Sequence, residues 1–279
     1  MVKTLNKIER NPRSLCQAYF SLAKRRARYA FVCKILIFAV GILAIFIPQV
    51  APITPLFVLV LAIAAEFLSW RSDTHKGKAE AWLRKLDGLD SFGWQISDAE
   101  LSDLLVQSPI KIDNLVIEEA LQQAYFASQE TQGTRRALEN LQESAWWSKH
   151  LTERMWQYYA FATALLFILS LIILLVSIYV FDDKNILSSV GRIITSTLIL
   201  TVSLNLSRSI LNYQRFSLKS GNIEATANSL LRNSALQESE VIKLWSEYHL
   251  ARSSAPIIPT WLWNTMRDRL NTTWMQYRQ

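Results

Sequence analysis

Residues 155–181 read MWQYYAFATALLFILSLIILLVSIYVF, a run of 27 residues without a charged side chain. About 20 apolar residues in an α-helix cross the ~30 Å of hydrocarbon in a bilayer, so this run predicts a membrane-spanning helix with some tilt. The composition agrees: 51% of the 279 residues are hydrophobic and only 19% are charged, against about 25% in soluble proteins. The sequence therefore predicts an all-α membrane protein.

Two shorter apolar runs predict a helical hairpin that precedes this span. The first covers residues 30–47 with Lys34 as its only ionisable side chain, and the second covers residues 56–70 with Glu66 as its only charge. Prolines in the link between the runs end one helix and begin the next. The basic region before the first run is too long for a signal peptide, so no cleavage is expected.

A second hairpin is expected after the longest run. A charged turn at residues 182–185 leads into a more polar helix over residues 187–211. The sequence therefore predicts four transmembrane helices arranged as two hairpins.

The distribution of Lys and Arg predicts the orientation in the membrane. Residues 1–29 carry 8 of them, residues 71–155 carry 10 and residues 208–279 carry 9, whereas the two predicted turns carry almost none. Because positively charged segments stay in the cytoplasm, both termini and the middle segment are expected there. The predicted parts are a basic cytoplasmic N-terminal helix (1–29), a first transmembrane hairpin (30–70), a cytoplasmic helical ligand-sensing domain (71–154), a second transmembrane hairpin (155–211) and a cytoplasmic helical tail (212–279).

Local signals predict where helices begin and end in the middle segment. Ser97 and Glu100 have the spacing of a capping box, in which each side chain accepts a hydrogen bond from the backbone of the other. Asp87 with Gly88, then Gly93, and then Pro109 are expected to break the helices of the middle segment. Asp87 and Asp90 are accordingly predicted to be solvated turn carboxylates.

Longer helices are predicted on both sides of the second hairpin. Residues 134–154 form a helix that continues into the third span, which would couple the middle segment mechanically to the membrane. The tail is expected to contain a helix over residues 221–250, a break at 253–259 and a final helix over 260–277.

The sequence contains no visible catalytic apparatus. His75, His150 and His249 are far apart, and no zinc-protease, nucleophile-elbow, phosphate-loop or dinucleotide motif is present. Cys16 and Cys33 cannot form a disulfide framework and are predicted to be reduced. We therefore expect neither an enzyme nor a metal or cofactor site.

Polar side chains on the fourth predicted helix indicate a pore. At 100° per residue, Arg192, Ser196, Ser203 and Ser207 fall within about 60° of one another, with Ile199 on the same stripe. In a homo-oligomer with this helix innermost, the stripe is predicted to line the pore and Ile199 to form a constriction. A second polar face consists of Thr197, Thr201, Asn205 and Arg208. Ser and Thr also join neighbouring helices, so either face is open to either role.

Glu66 is a further candidate for the pore. An ionisable side chain inside a membrane is costly and is by default a functional candidate. Lys34 and Glu66 lie at similar depth near the inner ends of their helices, so the alternatives are a structural ion pair, snorkelling, or a charged ring at the pore mouth.

Basic and aromatic residues of the middle segment are candidates for ligand binding. Cations interleaved with aromatic rings suit phosphates and stacked bases, whereas the alternative is a solvated basic helix face. The candidates are Lys76, Lys78, Trp82, Arg84, Lys85, Arg135 and Arg136.

The chain resembles the SMODS-associated four-transmembrane effectors, a family of pore-forming proteins encoded in bacterial antiphage operons. The two-plus-two plan of spans, the cytoplasmic helical insert and the helical tail carry the resemblance over nearly the whole chain. The local matches are AKR at 23–25, ENL at 139–141, ESAWWSKHL at 143–151, APIIP at 255–259, RD at 267–268 and LN at 270–271.

The resemblance implies an oligomeric channel, taken as a tetramer, in the bacterial inner membrane. A partner nucleotidyltransferase makes the signal. Either a cyclic oligonucleotide second messenger opens such a channel, or, as in the Hailong system, a single-stranded DNA oligomer holds it closed until infection. Release of the pore then causes growth arrest or cell death. Two alternatives from other classes stay open, a small-molecule or ion transporter that uses Glu66 and a membrane scaffold without conductance.

Overall fold

The structure is a computed structural model that describes residues 12–47, 49–50, 52–107, 125–180, 184–233 and 236–277. Every regular element in these ranges is an α-helix, which confirms the all-α prediction. The helices are α1 (Pro12–Phe46), α2 (Thr54–Phe92), α3 (Asp98–Gln107), α4 (Thr134–Val180), α5 (Lys184–Ser203), α6 (Leu206–Leu231), α7 (Glu238–Ser254) and α8 (Thr260–Tyr277).

The chain divides into two compact units. The helical unit consists of Met1–Lys24, Asp73–Glu153 and Arg215–Gln279, and the membrane unit consists of Arg25–Ser72 and Arg154–Gln214. Four helices, α1, α2, α4 and α6, continue without a break across a boundary between these ranges. Each of them therefore contributes residues to both units.

Within the described residues, α1, α2 and α4 are long and apolar enough to cross a membrane. At most 11% of the residues in their most apolar stretches are buried within the chain. Side chains such as Phe161 and Leu165 on α4 are exposed accordingly. An apolar surface of this extent is stable against lipid or other apolar helices rather than water, so three spans are supported.

The predicted fourth helix, residues 187–211, is not continuous. Asn205 has a left-handed backbone with φ of 51°, which separates Ser203 at the end of α5 from Leu206 at the start of α6. Asn tolerates this conformation better than most residues and commonly caps a helix C-terminus in it. The N–H of Ser209 then donates to the carbonyl oxygen of Asn205 at 2.9 Å in the first turn of α6.

The helical unit has a hydrophobic core of its own, built from two clusters of buried side chains. The larger cluster joins α4, α6 and α7 and contains Ala137, Leu138, Leu141, Ala145, Phe216, Ile223, Ala227, Val241, Leu244, Trp245, Tyr248 and the following Ala255. The smaller cluster joins α1 and α2 and contains Leu15, Cys16, Tyr19, Ala79, Leu83 and Leu86. Residues spaced three and four apart put each buried set on one face of its helix.

The capping box predicted at the start of α3 is confirmed. The N–H of Glu100 donates to Ser97 Oγ at 3.3 Å, and the N–H of Ser97 donates to Glu100 Oε2 at 3.1 Å. These two bonds satisfy backbone donors that the first turn of a helix leaves without partners.

The long helix and the tail are partly as predicted. Residues 134–154 belong to α4, which continues into the third span as expected. The helix predicted over residues 221–250 is wrong, because α6 ends at Leu231 and α7 begins only at Glu238. The break predicted at residues 253–259 is confirmed between α7 and α8.

The helix break predicted at Asp87 and Gly88 is also wrong. α2 continues through both residues and ends at Phe92, where Gly93 with φ of 75° takes the left-handed conformation that suits glycine. Trp94 folds back against the helix, so that a β-carbon on Gly88 would lie 2.8 Å from ring atom Cε3. Gly88 is therefore required by close packing inside a helix.

Gly88→Ala is expected to destabilise the helical unit by about 1–3 kcal/mol, because the clash with Trp94 outweighs the better helix propensity of Ala. Gly77→Ala is the matched control on the same helix, since nothing lies within 4 Å of a β-carbon there. The control is expected to gain about 0.5–1 kcal/mol. Thermal unfolding of both variants in one detergent measures the difference, and equal stability of the two would contradict the close approach.

Candidate functional site

The helical unit contains a set of charged and polar side chains drawn from three helices, the buried polar cluster. Its buried members are Glu80 and Asp87 of α2 and Tyr248 and His249 of α7, and the half-buried Arg13 of α1 and Arg252 of α7 complete it. Positions seven apart on α2 and three to four apart on α7 bring these side chains to one face of each helix. Charged groups removed from water are stable only when they are paired and hydrogen-bonded, so the geometry of the cluster decides its role.

Arg252 makes the closest charged contact in the cluster. Its Nε lies 3.1 Å from Glu80 Oε2, and its Nη1 donates to the hydroxyl of Tyr248 at 3.4 Å. That hydroxyl donates to the carbonyl oxygen of Ser144 at 3.0 Å and lies 2.8 Å from Ser148 Oγ. The chain of contacts links α2 and α7 to α4.

Asp87 and His249 form the second part of the cluster. Asp87 is only 3% exposed, with Oδ1 3.8 Å from Arg13 Nη1 and Oδ2 3.9 Å from His249 Nε2. Burial raises the pKa of Asp87 to about 7, although Arg13 and Arg252 act in the opposite direction. Burial and the charges of Arg252 and Arg84 lower the pKa of His249 to about 3, so the imidazole is neutral at pH 7 and this contact is not an ion pair. The expectation of a solvated turn carboxylate at Asp87 is wrong.

A small cavity adjoins the cluster. Its volume is about 10 Å³, which is room for a single water molecule and far too little for a nucleotide. Its lining includes Asp87, Ser91, Asn140, Ser144, Tyr248 and His249. The buried polar cluster is therefore a network that holds helices together and not a ligand pocket.

Lys76, one of the predicted ligand residues, is bound within the chain. Its ammonium donates to the carbonyl oxygen of Ser253 at 2.7 Å and to that of Ala255. These carbonyls lie at the C-terminal end of α7, where a cation is also favoured by the helix dipole. Burial lowers the pKa of this ammonium, although Glu80 and Asp73 act in the opposite direction. Lys76 holds α2 to α7.

The other candidates on α2 differ in exposure. Lys78 and Arg84 are exposed. Trp82 is half-buried, and the ammonium of Lys85 lies 4.8 Å from its ring centroid. The same ammonium contacts Glu100 Oε1 at 2.6 Å. Of the predicted ligand residues on this helix, Lys78 and Arg84 are thus the two with exposed side chains.

The candidates on α4 are paired with acidic residues. Arg135 Nε lies 3.4 Å from Glu130 Oε1 and 3.8 Å from Glu139 Oε1. Arg136 holds Asp90 twice, with Nη2 on the carboxylate at 2.9 Å and Nε on the backbone carbonyl at 2.9 Å. Two contacts from one guanidinium group fix the orientation of Arg136 and hold α4 against α2.

Lys34 and Glu66 are brought together in the membrane unit. Lys34 Nζ lies 3.7 Å from Glu66 Oε1, as their similar predicted depth suggested. The two side chains differ sharply in exposure, since that of Lys34 is 14% exposed and that of Glu66 is 77% exposed. The carboxylate therefore faces outward among exposed apolar side chains such as Ile63 and Phe67.

The predicted pore stripe is divided between two helices. Arg192 is exposed and Ser196 half-buried on α5, whereas Ser207 is exposed on α6. The side chains of Ile199 and Ser203 lie outside the described part of the structure. The angles calculated for one continuous helix do not extend to Ser207, because the left-handed conformation of Asn205 interrupts the helix between α5 and α6.

On the alternative polar face, two hydroxyls bond within their own helix. Thr197 Oγ1 donates to the carbonyl oxygen of Ile193 and Thr201 Oγ1 to that of Thr197, each at 3.0 Å. Hydroxyls bonded in this way need no partner on a neighbouring helix.

The buried polar cluster was not foreseen from the sequence. Arg13 and Arg252 carry no motif, and their carboxylate partners are 74 and 172 positions away in the chain. One weak signal exists, because Tyr248 and Arg252 are spaced one helical turn apart.

In the ranges that the structure describes, no three His, Cys, Asp or Glu side chains are grouped to hold a metal ion. Comparison of the chain with family models, curated proteins and solved structures found no match.

Proposed function

We propose that the protein is an oligomeric ion channel of the bacterial inner membrane, gated by a nucleotide or short DNA oligomer that binds its helical unit on the cytoplasmic side. α5 supplies the fourth span of this channel, and the released pore arrests or kills the cell as an antiphage effector. The resemblance of the sequence to the SMODS-associated four-transmembrane effectors motivates the ligand class and the biological setting.

The observation that carries the proposal is the continuity of α4. Its first part buries Leu138, Leu141 and Ala145 in the core of the helical unit, and its later part presents an exposed apolar surface. A ligand that binds one conformation of the helical unit more tightly biases that conformation by its affinity difference. Because α4 is one continuous helix, a movement of its first part is expected to move the part in the membrane as well.

The exposure of Glu66 supports an oligomer with an aqueous path. A carboxylate that faces hydrocarbon is destabilised, so a 77% exposed carboxylate in an apolar span favours water or another protein surface, unless the side chain reaches the headgroups by snorkelling. A ring of these carboxylates around a lumen provides both. The side chain of Lys34 is mostly buried, so the carboxylate of Glu66 is the exposed charge of this pair.

Ion flux from liposomes that contain the purified protein tests the proposal. K⁺ release is measured before and after nuclease treatment of the protein and after addition of cyclic oligonucleotides. Flux that changes with either treatment is expected, and the direction of change distinguishes an opening signal from a holding inhibitor. A homogeneous oligomer with no flux under any of these conditions would contradict the channel and favour a transporter or a scaffold.

The coupling through α4 has its own test at Glu153 and Arg154, which are consecutive in this helix and belong to different units. Replacing Glu153 and Arg154 with Gly is expected to abolish the response of flux to the nucleotide while pore formation persists, because each Gly costs a helix about 1 kcal/mol. The matched control replaces both residues with Ala, which removes the same side chains and preserves the helix. An unchanged response in the Gly variant would remove α4 from the gating path.

A further inference from the structure

Only two residues, Leu204 and Asn205, separate α5 from α6. The regular hydrogen bonds of α5 end with the N–H of Leu204, which donates to the carbonyl oxygen of Leu200 at 2.8 Å. Those of α6 begin with the N–H of Ser209, which donates to the carbonyl oxygen of Asn205. Among the residues that the structure describes, Asn205 is the only non-glycine with a positive φ. A return of this residue to the right-handed conformation is therefore the main change that would join α5 and α6 into one helix.

The backbone around Asn205 favours a continuous helix. Residues 192–220 contain neither Gly nor Pro, so no strong helix breaker lies near this position. The left-handed conformation is unfavourable for every residue except Gly, although Asn tolerates it better than most. The N–H groups of residues 205–208 lie between the two regular bonding patterns and would each gain a carbonyl partner in a continuous helix. The local sequence thus acts against the bend.

Packing on both sides of Asn205 holds the bend. Leu200 before it and Leu206 and Tyr213 after it are buried. The ring of Tyr213 is stacked on that of Tyr159 of α4, with 5.7 Å between the ring centroids. Asn205 itself is exposed, so its neighbours carry this packing. Tertiary contacts that favour the bent form therefore oppose a backbone preference for the straight form.

We propose that Asn205 is a hinge whose change between bent and straight backbone gates the channel. The inference rests on the proposed channel function, in which α5 is the fourth span. Beyond the hinge, α6 continues into the core of the helical unit, where Phe216 and Ile223 are buried. A ligand that favours one conformation of the helical unit acts on α6 and hence on the balance at Asn205. Because packing and backbone preference oppose each other there, a modest difference in ligand affinity is enough to move this balance.

Two substitutions at Asn205 test the hinge. Asn205→Gly and Asn205→Ala remove the same exposed side chain, so the two variants differ from each other by a single methyl group. Gly adopts a positive φ without cost and weakens a continuous helix, whereas Ala is the best helix former and disfavours a positive φ. The ratio of bent to straight chains is expected to be about thirtyfold higher with Gly than with Ala, with the native chain between them.

The bend is measured as the distance between two spin labels in the full-length protein. The labels are attached at Leu198→Cys and Arg215→Cys, both at exposed positions, in a chain with Cys16 and Cys33 replaced by Ala. A straight helix separates the two labelled Cα atoms by about 26 Å, and a bend shortens this distance. The Ala variant is expected to populate the longer distance and the Gly variant the shorter one.

Gating is measured as K⁺ flux from liposomes that contain each variant without the labels. Flux is expected to differ about tenfold between the Gly and Ala variants, with the native chain between them, and the direction shows which form conducts. Asn222→Gly and Asn222→Ala make the same exchange at an exposed position in the regular part of α6. These controls are expected to leave both the distance and the flux close to those of the native chain.

The two measurements separate failure of the hinge from failure of the channel. Equal distances in the Gly and Ala variants, with flux from the native chain, would overturn the hinge and leave the channel standing. Different distances with equal flux in all variants would show a bend that does not gate. Different distances with no flux from any variant would overturn the channel, and the gating role of Asn205 with it.

Discussion

Asp87→Asn is expected to make the stability of the helical unit rise with pH between about 3 and 6.5, whereas His249→Gln is expected to make it fall between about 3.8 and 7. The native chain is expected to change little over the same range. Asp87 and His249 are buried side by side and titrate in opposite senses, so their contributions cancel when both are present.

The signs follow from the displaced pKa values. Asp87 has a pKa of about 7 when folded and 3.8 when exposed, so the folded state holds the extra proton between these values and loses stability as pH rises. His249 has a pKa of about 3 when folded and 6.5 when exposed, so the unfolded state holds the extra proton and stability rises with pH. At about 1.4 kcal/mol per pKa unit, each effect amounts to about 4–5 kcal/mol.

Thermal unfolding midpoints of the full chain in detergent, measured from pH 4 to pH 8, test this pair. Four charged side chains act on the pKa of Asp87. Arg13 of α1 and Arg252 of α7 lower this pKa, and Glu80 and Asp90 of its own helix raise it. The variant with both Asp87→Asn and His249→Gln is the control and is expected to be as flat as the native chain. Parallel profiles for the two single variants would contradict the opposite displacements.

Arg252→Met is expected to destabilise the helical unit by about 3–5 kcal/mol, because it leaves the carboxylate of Glu80 buried without its cation. Tyr248 loses a donor at the same time. The measurement is the thermal midpoint in detergent, and Arg269→Met at an exposed position is the matched control with little expected change.

A double variant separates the charge from the packing. Removing both charges, with Arg252→Met and Glu80→Met, is expected to recover most of the loss, since replacing a whole buried pair with apolar side chains is often neutral. A double variant as unstable as Arg252→Met alone would show that the side chain acts through packing and not through its pairing with Glu80.

Some predictions succeeded because they depend on residues close together in the chain. The capping box needs only Ser97 and Glu100, three positions apart, and the helix from residue 134 into the third span needs only uninterrupted helical spacing. The break predicted at Gly88 is wrong because this residue lies inside a helix, where the ring of Trp94 packs against it after the chain folds back. Turn propensity describes neither that contact nor its geometry.

The candidate ligand residues also depend on contacts between residues that are far apart in the chain. Lys76 and Arg136 are residue types that bind phosphate. Their N–H donors are nevertheless hydrogen-bonded within the chain, to the carbonyl oxygen of Ser253 and to the carboxylate of Asp90. Whether a cation is available to a ligand depends on which acceptors the fold brings to it. Lys34 and Glu66 lie 3.7 Å apart, as in the ion pair that was one of the alternatives, because a tight hairpin relates their depths directly.

The helical class, the three long apolar spans and the positions of several helix ends can be read from the amino-acid sequence. Hydrocarbon selects long apolar helices whatever else the chain contains, and caps act over one turn. The burial of Asp87 and the pairing of Arg252 with Glu80 could be seen only in the folded chain. The energy of a charge depends on the groups and the solvent around it, and distant segments supply both.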